Sequence, residues 1–397
     1  MSAPAGEFRR GWPILAGSVI GIASGLSSLY FYSLGVFILP LSHSFGWTRT
    51  QASLGALAGT LGAAAAAPLA GSLADRFGSL RLAVASLALL ALGFALHGWL
   101  IRGLPSFIVV SVLINIIAIG SAPLAYSRLT VSTFHQHRGL ALGIALSGTG
   151  LGAMLVPTFL VPFITAHGWR QGYAALAMTS LLAILPVWLL LRGSIDDIGS
   201  ARARQSVMPM VRKPEFAVLA AMFFLAAIAI LGTVVQFVPM LSGFGLSPVA
   251  VGSLSGLIGM SAVMGRLAIG ALLDRFEAAS ITRLVFILAG LGLWLLAWGG
   301  AQMALPTALL LGLGIGAEVH LLSFHTARIF PREMFGQING LLYSVFLVGS
   351  GLGPALSGVL FDVTGSYRAS LLIFGIALIG AALFTFRLSA ASRKFDE

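Results

Sequence analysis

Cysteine is absent from the 397-residue chain, which excludes a disulfide framework and a thiolate metal site and leaves the redox compartment unread. Charge is scarce: Asp, Glu, Lys and Arg together make up 9% of the residues, against roughly 25% in soluble domains. The signatures of soluble enzymes are missing as well. No Gly-x-x-x-x-Gly-Lys run, Gly-x-Ser-x-Gly elbow or His-Glu-x-x-His helix occurs, so an enzyme built on those motifs is not expected. Gly143, Gly148, Gly150 and Gly152 lie inside an apolar run and make a poor phosphate loop. His135 and His137 have no carboxylate or third histidine near them in sequence, so neither a metal site nor a cofactor is expected. Lys and Arg exceed Asp and Glu by 11, but they are scattered between apolar runs, which argues against a nucleic-acid surface. The stretch before Trp12 is too short, and the apolar run after it too long, for a cleavable leader.

What the chain has in abundance is apolar sequence, 58% of the residues with a mean hydropathy of +0.99. Runs of about 20 apolar residues are the length that crosses a bilayer as a helix. Such runs fall near 12–40, 50–74, 82–100, 105–131, 139–163, 171–191, 216–240, 247–272, 281–302, 305–327, 338–361 and 368–388. The expected fold class is an all-α membrane protein with twelve transmembrane helices. The only long polar connection, 192–215, carries Arg202, Arg204, Arg212 and Lys213 and divides the chain six plus six. The expected organisation is therefore an N-terminal bundle 1–191, a cytoplasmic linker 192–215 and a C-terminal bundle 216–397. With both termini inside, 19 of the 23 basic residues lie on the inner side or at inner helix ends, and four (Arg49, Arg102, Arg170, Arg368) lie outside. That bias predicts cytoplasmic termini by the positive-inside rule.

Within these spans the polar residues are few enough to weigh one by one. Arg266 precedes Asp274 by eight residues, which at about 1.5 Å per residue places it about 12 Å into the bilayer. A cation at that depth costs roughly 3 kcal/mol or more unless it meets water or an anion, so it marks a functional site by default. The bland alternative is an internal ion pair that only fixes helix packing. Glu318 is the only carboxylate at mid-depth, and a resting pair with Arg266 is expected. His325 shares its helix face, whereas His320 points away. Asn115 needs a partner, either another helix or a solute. Tyr30, Tyr32 and Tyr343 are candidate wall residues, with packing as the simpler role for each. Two turns repeat a pattern, Gly71-x-x-x-Asp75-Arg76-x-Gly78 followed by Arg81, and Gly270-x-x-x-Asp274-Arg275. An acid and a base at a helix end can pair with each other and with a neighbouring helix end, and so latch a gate.

Twelve spans, the six-plus-six split and the paired turns resemble the major facilitator superfamily across essentially the whole chain. Tyr32-Ser-Leu-Gly35-Val36-Phe37, Phe45-Gly46-Trp47-Thr48-Arg49, Arg138-Gly139-Leu-Ala-Leu-Gly143 and Gly265-Arg266 with Gly270 look like the branch holding monocarboxylate transporters and oxalate/formate antiporters. The resemblance implies two pseudo-symmetric six-helix bundles, the major facilitator fold, and alternating access around a midplane site between the halves. It also implies that Arg266 binds a substrate carboxylate. The chain departs from the pattern at Glu277, where a closing glycine is expected, and at Ser79, where arginine is common. The oxalate exchangers carry a second cation in the eleventh helix, but the region around 348–351 here has none.

The expectation is a secondary active transporter of a small organic monocarboxylate by proton-coupled symport, with Arg266, Asn115, Tyr30, Tyr32 and Tyr343 at the solute. Glu318, His320 and His325 are the proton-coupling candidates, and Asp75, Arg76, Arg81, Asp274 and Arg275 the gating residues. Its partners are the anion, protons and the lipid bilayer. Its place is the cytoplasmic (inner) membrane, as a monomer. A proton-coupled drug or metabolite efflux antiporter and an organic-anion exchanger are the alternatives.

Overall fold

The computed structural model describes residues 4–134, 136–194, 208–273, 275–331 and 334–393. Asp274, His135 and residues 195–207 of the expected linker lie outside the described residues. Every element among those described is helical. The first half of the chain forms α1 (Pro4–Ala23), α2 (Leu26–Phe45), α3 (Arg49–Phe77), α4 (Ser79–Leu100), α5 (Leu104–Ile117), a 3-10 turn (Ile119–Ser121), α6 (Pro123–Thr133), α7 (Arg138–His167) and α8 (Trp169–Leu191). The short α9 (Met208–Val211) precedes α10 (Pro214–Gly243), α11 (Pro248–Leu273), α12 (Ala278–Gly299), a 3-10 turn (Gly300–Met303), α13 (Ala304–Ile329), α14 (Phe335–Thr364) and α15 (Arg368–Arg393).

Glycine and proline set the punctuation. Gly78 and Gly168 are the single residues between α3 and α4 and between α7 and α8, at φ 86 and φ 89, where a Cβ would be strained. Two expected spans are broken rather than continuous. Pro123 disfavours helix in the residue before it, and Ala122 is extended at φ −72 and ψ 164. The fourth span is thereby split into α5 and α6. The first span is split at Gly25, whose missing Cβ leaves room for the Ser121 carbonyl. The freed amide of Leu26 then donates to Ser121 Oγ at 3.1 Å, so the two breaks satisfy each other.

Among the described residues, nine helices are long and apolar enough to cross a membrane, or ten when α3, bent by 49° between Ala67 and Leu69, counts as one. The remaining crossings follow from packing. Ala278–Ile329 is one 52-residue run, about 78 Å long at 1.5 Å per residue, more than twice a bilayer core. Its α12 and α13 pack against each other, so the run doubles back and holds two crossings. Leu104–Ile117 is too short alone, but α5, the 3-10 turn and α6 pack in succession on α4 and complete one broken crossing. Twelve crossings result.

The helices form two compact units, Met1–Gly46 with Ala58–Ala201, and Trp47–Leu57 with Arg202–Glu397. In the first, α1 packs on α7 and α4 on α8; in the second, α10 packs on α14 and α12 on α15. The first and fifth spans of each half therefore pair, as do the third and sixth, which is the pseudo-symmetry the repeated turns imply. Large apolar side chains remain exposed, Leu182 and Phe159 at 67% and Val363 at 79%, as lipid-facing surface requires. Trp99 and Trp298 stand exposed at helix ends, and the Arg368 guanidinium lies 3.9 Å over the Trp298 ring, an arrangement suited to the membrane interface.

Candidate functional site

Small residues bring α11 and α13 together. A Cβ at Gly265 would lie 3.1 Å from Leu313 Cα, and one at Gly316 would lie 3.0 Å from the Arg266 backbone nitrogen. Ser261 Oγ donates across the same seam to the Leu309 carbonyl at 2.6 Å. Close backbone approach of this kind needs residues without bulk. It fixes the root of the half-buried Arg266 side chain against α13.

Two faces of α13 then differ. Glu318 is 1% exposed, and its Oε2 is buried with no hydrogen-bond partner among the described residues. Tyr343 of α14 lies within electrostatic reach of it and stacks on Phe346 with ring centroids 5.5 Å apart. Arg266 acts electrostatically on His320 instead. The expected resting pair between Arg266 and Glu318 is not formed: Glu318 makes no ion pair among the described residues. The reason is rotational, since residues two apart on a helix point about 200° from one another.

His325 is already committed. The Thr282 hydroxyl donates to the Ala278 carbonyl at 2.8 Å, which uses its only proton, so His325 Nε2 donates to Thr282 Oγ1 at 2.9 Å. This ties α13 to α12.

The first unit holds a buried polar cluster. Asn115 Nδ2 donates to the Ser111 carbonyl at 2.9 Å, and the Tyr30 hydroxyl bonds with the Ser111 and Asn115 side chains. Gly59 leaves room for them, because a Cβ there would lie 2.6 Å from the Tyr30 hydroxyl and 2.7 Å from Asn115 Nδ2. Sequence reasoning missed His97, which is 1% exposed. Its Nδ1 faces the Gly93 carbonyl at 3.1 Å, a contact that requires the proton on that nitrogen. Nε2 therefore accepts from Ser111 Oγ at 3.3 Å. A lone imidazole within an apolar run was the available signal. Tyr32, two residues beyond Tyr30, is half-buried and packs edge-on against Phe31 with centroids 5.3 Å apart.

At the far end of the same unit, Asp75 accepts from Arg128 Nη2 of α6 at 2.6 Å. Arg76 lies 5.2 Å over the Phe77 ring. Arg81 and Arg275 are exposed, and Asp274 lies outside the described residues.

Comparisons with known proteins agree with this architecture. Residues 20–326 match the family model described as the Major Facilitator Superfamily. Human monocarboxylate transporter 11 is 26% identical over 98% of this chain and 85% of its own length. An uncharacterized MFS-type transporter of Escherichia coli K12, YhjX, is 25% identical over 88% of this chain and 87% of its own. A bacterial homolog of the human lysosomal transporter Spinster, crystallised in an inward-facing, unoccupied conformation, superposes with a TM-score of 0.69 at 19% identity and 99% coverage of both chains. That likeness shows the fold. With a family match over most of its length and the helical arrangement described above, the chain belongs to the major facilitator superfamily, as a multi-pass membrane transporter.

Proposed function

We propose that the protein carries a small organic monocarboxylate together with a proton by alternating access, with Arg266 gripping the carboxylate and Glu318 carrying the proton. The observation that carries this reading is the guanidinium of Arg266 rooted on the α11–α13 seam of an apolar bundle. A planar fork there matches the two oxygens of one carboxylate. The relative named a monocarboxylate transporter, similar over 98% of the chain, supports the same class. Around 348–351 α14 offers no second cation, which favours a monoanion over a dianion. Tyr343, beside Glu318, is the proposed wall residue of this unit, and His320 a possible proton relay. His325 serves packing.

A proteoliposome screen tests the proposal directly. Uptake of labelled lactate, competed by a panel of short monocarboxylates and dicarboxylates, is expected to rise when the lumen is alkaline and to respond to monocarboxylates alone. Uptake of lipophilic cations with no response to any carboxylate would reject the reading in favour of drug efflux.

We also propose that the termini and the linker are cytoplasmic, in the cytoplasmic membrane, and that the monomer suffices. The 19-to-4 distribution of basic residues supports this orientation. A cysteine at exposed His43 should react with an impermeant maleimide from outside intact cells, and protection there would reverse the topology.

Asp75 is proposed to act in gating through Arg128. Both partners are substantially solvent-exposed, at 47% and 26%, so the pair contributes at most about 1 kcal/mol to stability. Asp75→Asn is therefore expected to slow turnover several-fold and leave KM within about threefold. A large rise in KM at unchanged kcat would place Asp75 in recognition instead.

A further inference from the structure

Where the start of α12 packs against the end of α15, the seam holds a cation that no carboxylate meets. Arg283 comes five residues after Ala278, about 7.5 Å into the helix at 1.5 Å per residue, and lies inside the apolar run Ala278–Ile329. Its Nε donates to Thr385 Oγ1 of α15 at 3.0 Å. The Thr385 hydroxyl proton is spent on the Ala382 carbonyl at 2.6 Å, so that oxygen can only accept. The guanidinium carbon lies 3.7 Å over the Phe386 ring. One edge and one face of the fork are thus fixed by α15. Arg283 makes no ion pair among the described residues, so the edge formed by its two Nη groups presents N–H donors without an anion. The setting is lipid-facing: Leu284, next in α12, and Leu383 and Phe386 of α15 are exposed. Arg387, four residues beyond Leu383 and on its face, is exposed too and stands one residue before the end of the apolar span Arg368–Leu388. A helical side chain tilts toward the N-terminus of its helix, which carries the head of Arg283 toward the membrane surface.

We propose that this corner of the α12–α15 seam binds the phosphate of an anionic glycerophospholipid, with the headgroup on Arg283 and Arg387 and an acyl chain along Phe386, Leu383 and Leu284. Three observations favour that occupant. The first is the shape of the donor: with Nε held by Thr385, the remaining edge of the fork matches two oxygens of one phosphate. The second is depth. A soluble phosphate ester would have to shed water to reach a guanidinium among lipid-facing side chains, whereas a phospholipid brings its phosphate to the edge of the hydrocarbon already. The third is the sign of the membrane. In the orientation proposed above this end of the seam faces the cytoplasmic leaflet, whose anionic lipids attract arginine and lysine. A link that only packed α12 on α15 would use the Thr385 bond and the Phe386 ring and leave the Nη edge without a task.

The inference rests on neither the solute nor proton coupling, so its test uses neither. Native mass spectrometry of the full-length protein in detergent, incubated with phosphatidylglycerol or with phosphatidylcholine, reads bound lipid directly. Wild type is expected to hold phosphatidylglycerol in preference to phosphatidylcholine, and Arg283→Gln to weaken that binding about tenfold. Arg283→Lys keeps the charge without the fork and should lose about threefold. Arg102→Gln, in the exposed connection before α5, controls for net charge and should bind as wild type does. Glycerol 3-phosphate, a headgroup without tails, should not displace the lipid. Equal phosphatidylglycerol affinity in wild type and Arg283→Gln would overturn the site, and a lowered melting temperature beside that equality would mark Arg283 as a packing link alone. An equal loss in Arg102→Gln would reduce the effect to net charge and overturn it too. Displacement by glycerol 3-phosphate would replace the lipid with a soluble phosphate ester. Should Arg283→Gln fail to fold, Thr385→Val keeps the cation but frees the fork, with a loss of about threefold expected and unchanged affinity counting against the site. None of these results bears on the monocarboxylate reading, which the uptake screen decides.

Discussion

Arg266→Lys is expected to weaken binding of a small monocarboxylate by about ten- to a hundred-fold, and Arg266→Ala to abolish it. Lysine keeps the charge but replaces two parallel donors by one point, and a hydrogen bond to a charged group is worth about 1.5–3 kcal/mol. The effect should be on solute affinity more than on folding. Arg266 sits on a seam fixed by Gly265 and Gly316 and by the Ser261 bond, none of which uses the guanidinium. Tryptophan-fluorescence titration or competition in proteoliposomes would read it, with melting temperature as the control. Equal affinity for wild type and Arg266→Lys would show that the carboxylate is not held there. Gly316→Ala is a steric companion, because the added methyl would press on the Arg266 backbone at 3.0 Å.

The crossings could be read from the sequence because lipid allows so few solutions: a run of about 20 apolar residues has to be a helix. Where that logic failed, the missing information was a partner distant in sequence. The break at Gly25 looks continuous by hydropathy, and only the Ser121 hydroxyl, 95 residues away, makes it affordable. For Asp75 the sequence allows a local pair or a neighbouring helix end without naming it, and the partner is Arg128, 53 residues on.

Direction around a helix was the second blind spot. Spacing places Glu318 and His325 on one face, and both are buried. It does not tell that His325 bonds Thr282 on α12 while Glu318 lies within electrostatic reach of Tyr343 on α14. Nor could it place the Arg266 charge beside His320. His97 stands near the end of its apolar run, where a histidine gives no depth signal of its own. Tyr30, Ser111, Asn115 and His97 become one network only after α2, α4 and α5 pack.

Glu318→Gln is expected to abolish concentrative uptake driven by an inward proton gradient while solute exchange at equal pH on both sides survives. The carboxyl is 1% exposed and makes no ion pair among the described residues, so its ionised form would be a bare charge in apolar surroundings, the costliest state such a group can occupy. The neutral acid fits that environment, and release of its proton needs water or a nearby cation. Arg266 is in the same unit, on α11 across the glycine seam from α13, and in the proposed cycle a rearrangement of α11 against α13 brings the cation to Glu318. In the proposed cycle a solute carboxylate on Arg266 spends that cation and Glu318 keeps its proton; when the solute leaves, the Arg266 charge favours the carboxylate and Glu318 gives its proton to water. Solute and proton then travel together without ever meeting. Glutamine copies the neutral acid in size and polarity and can never discharge, so the loaded half of the cycle should run and the empty return should lose its coupling. Counterflow at pH 7 on both sides isolates the loaded half, and uptake with an alkaline lumen tests the whole. If Glu318→Gln still concentrates lactate on a proton gradient alone, Glu318 is not the coupling residue. If it loses counterflow as well as driven uptake while remaining folded, the carboxyl is a packing element of the α13–α14 contact and the proton travels elsewhere.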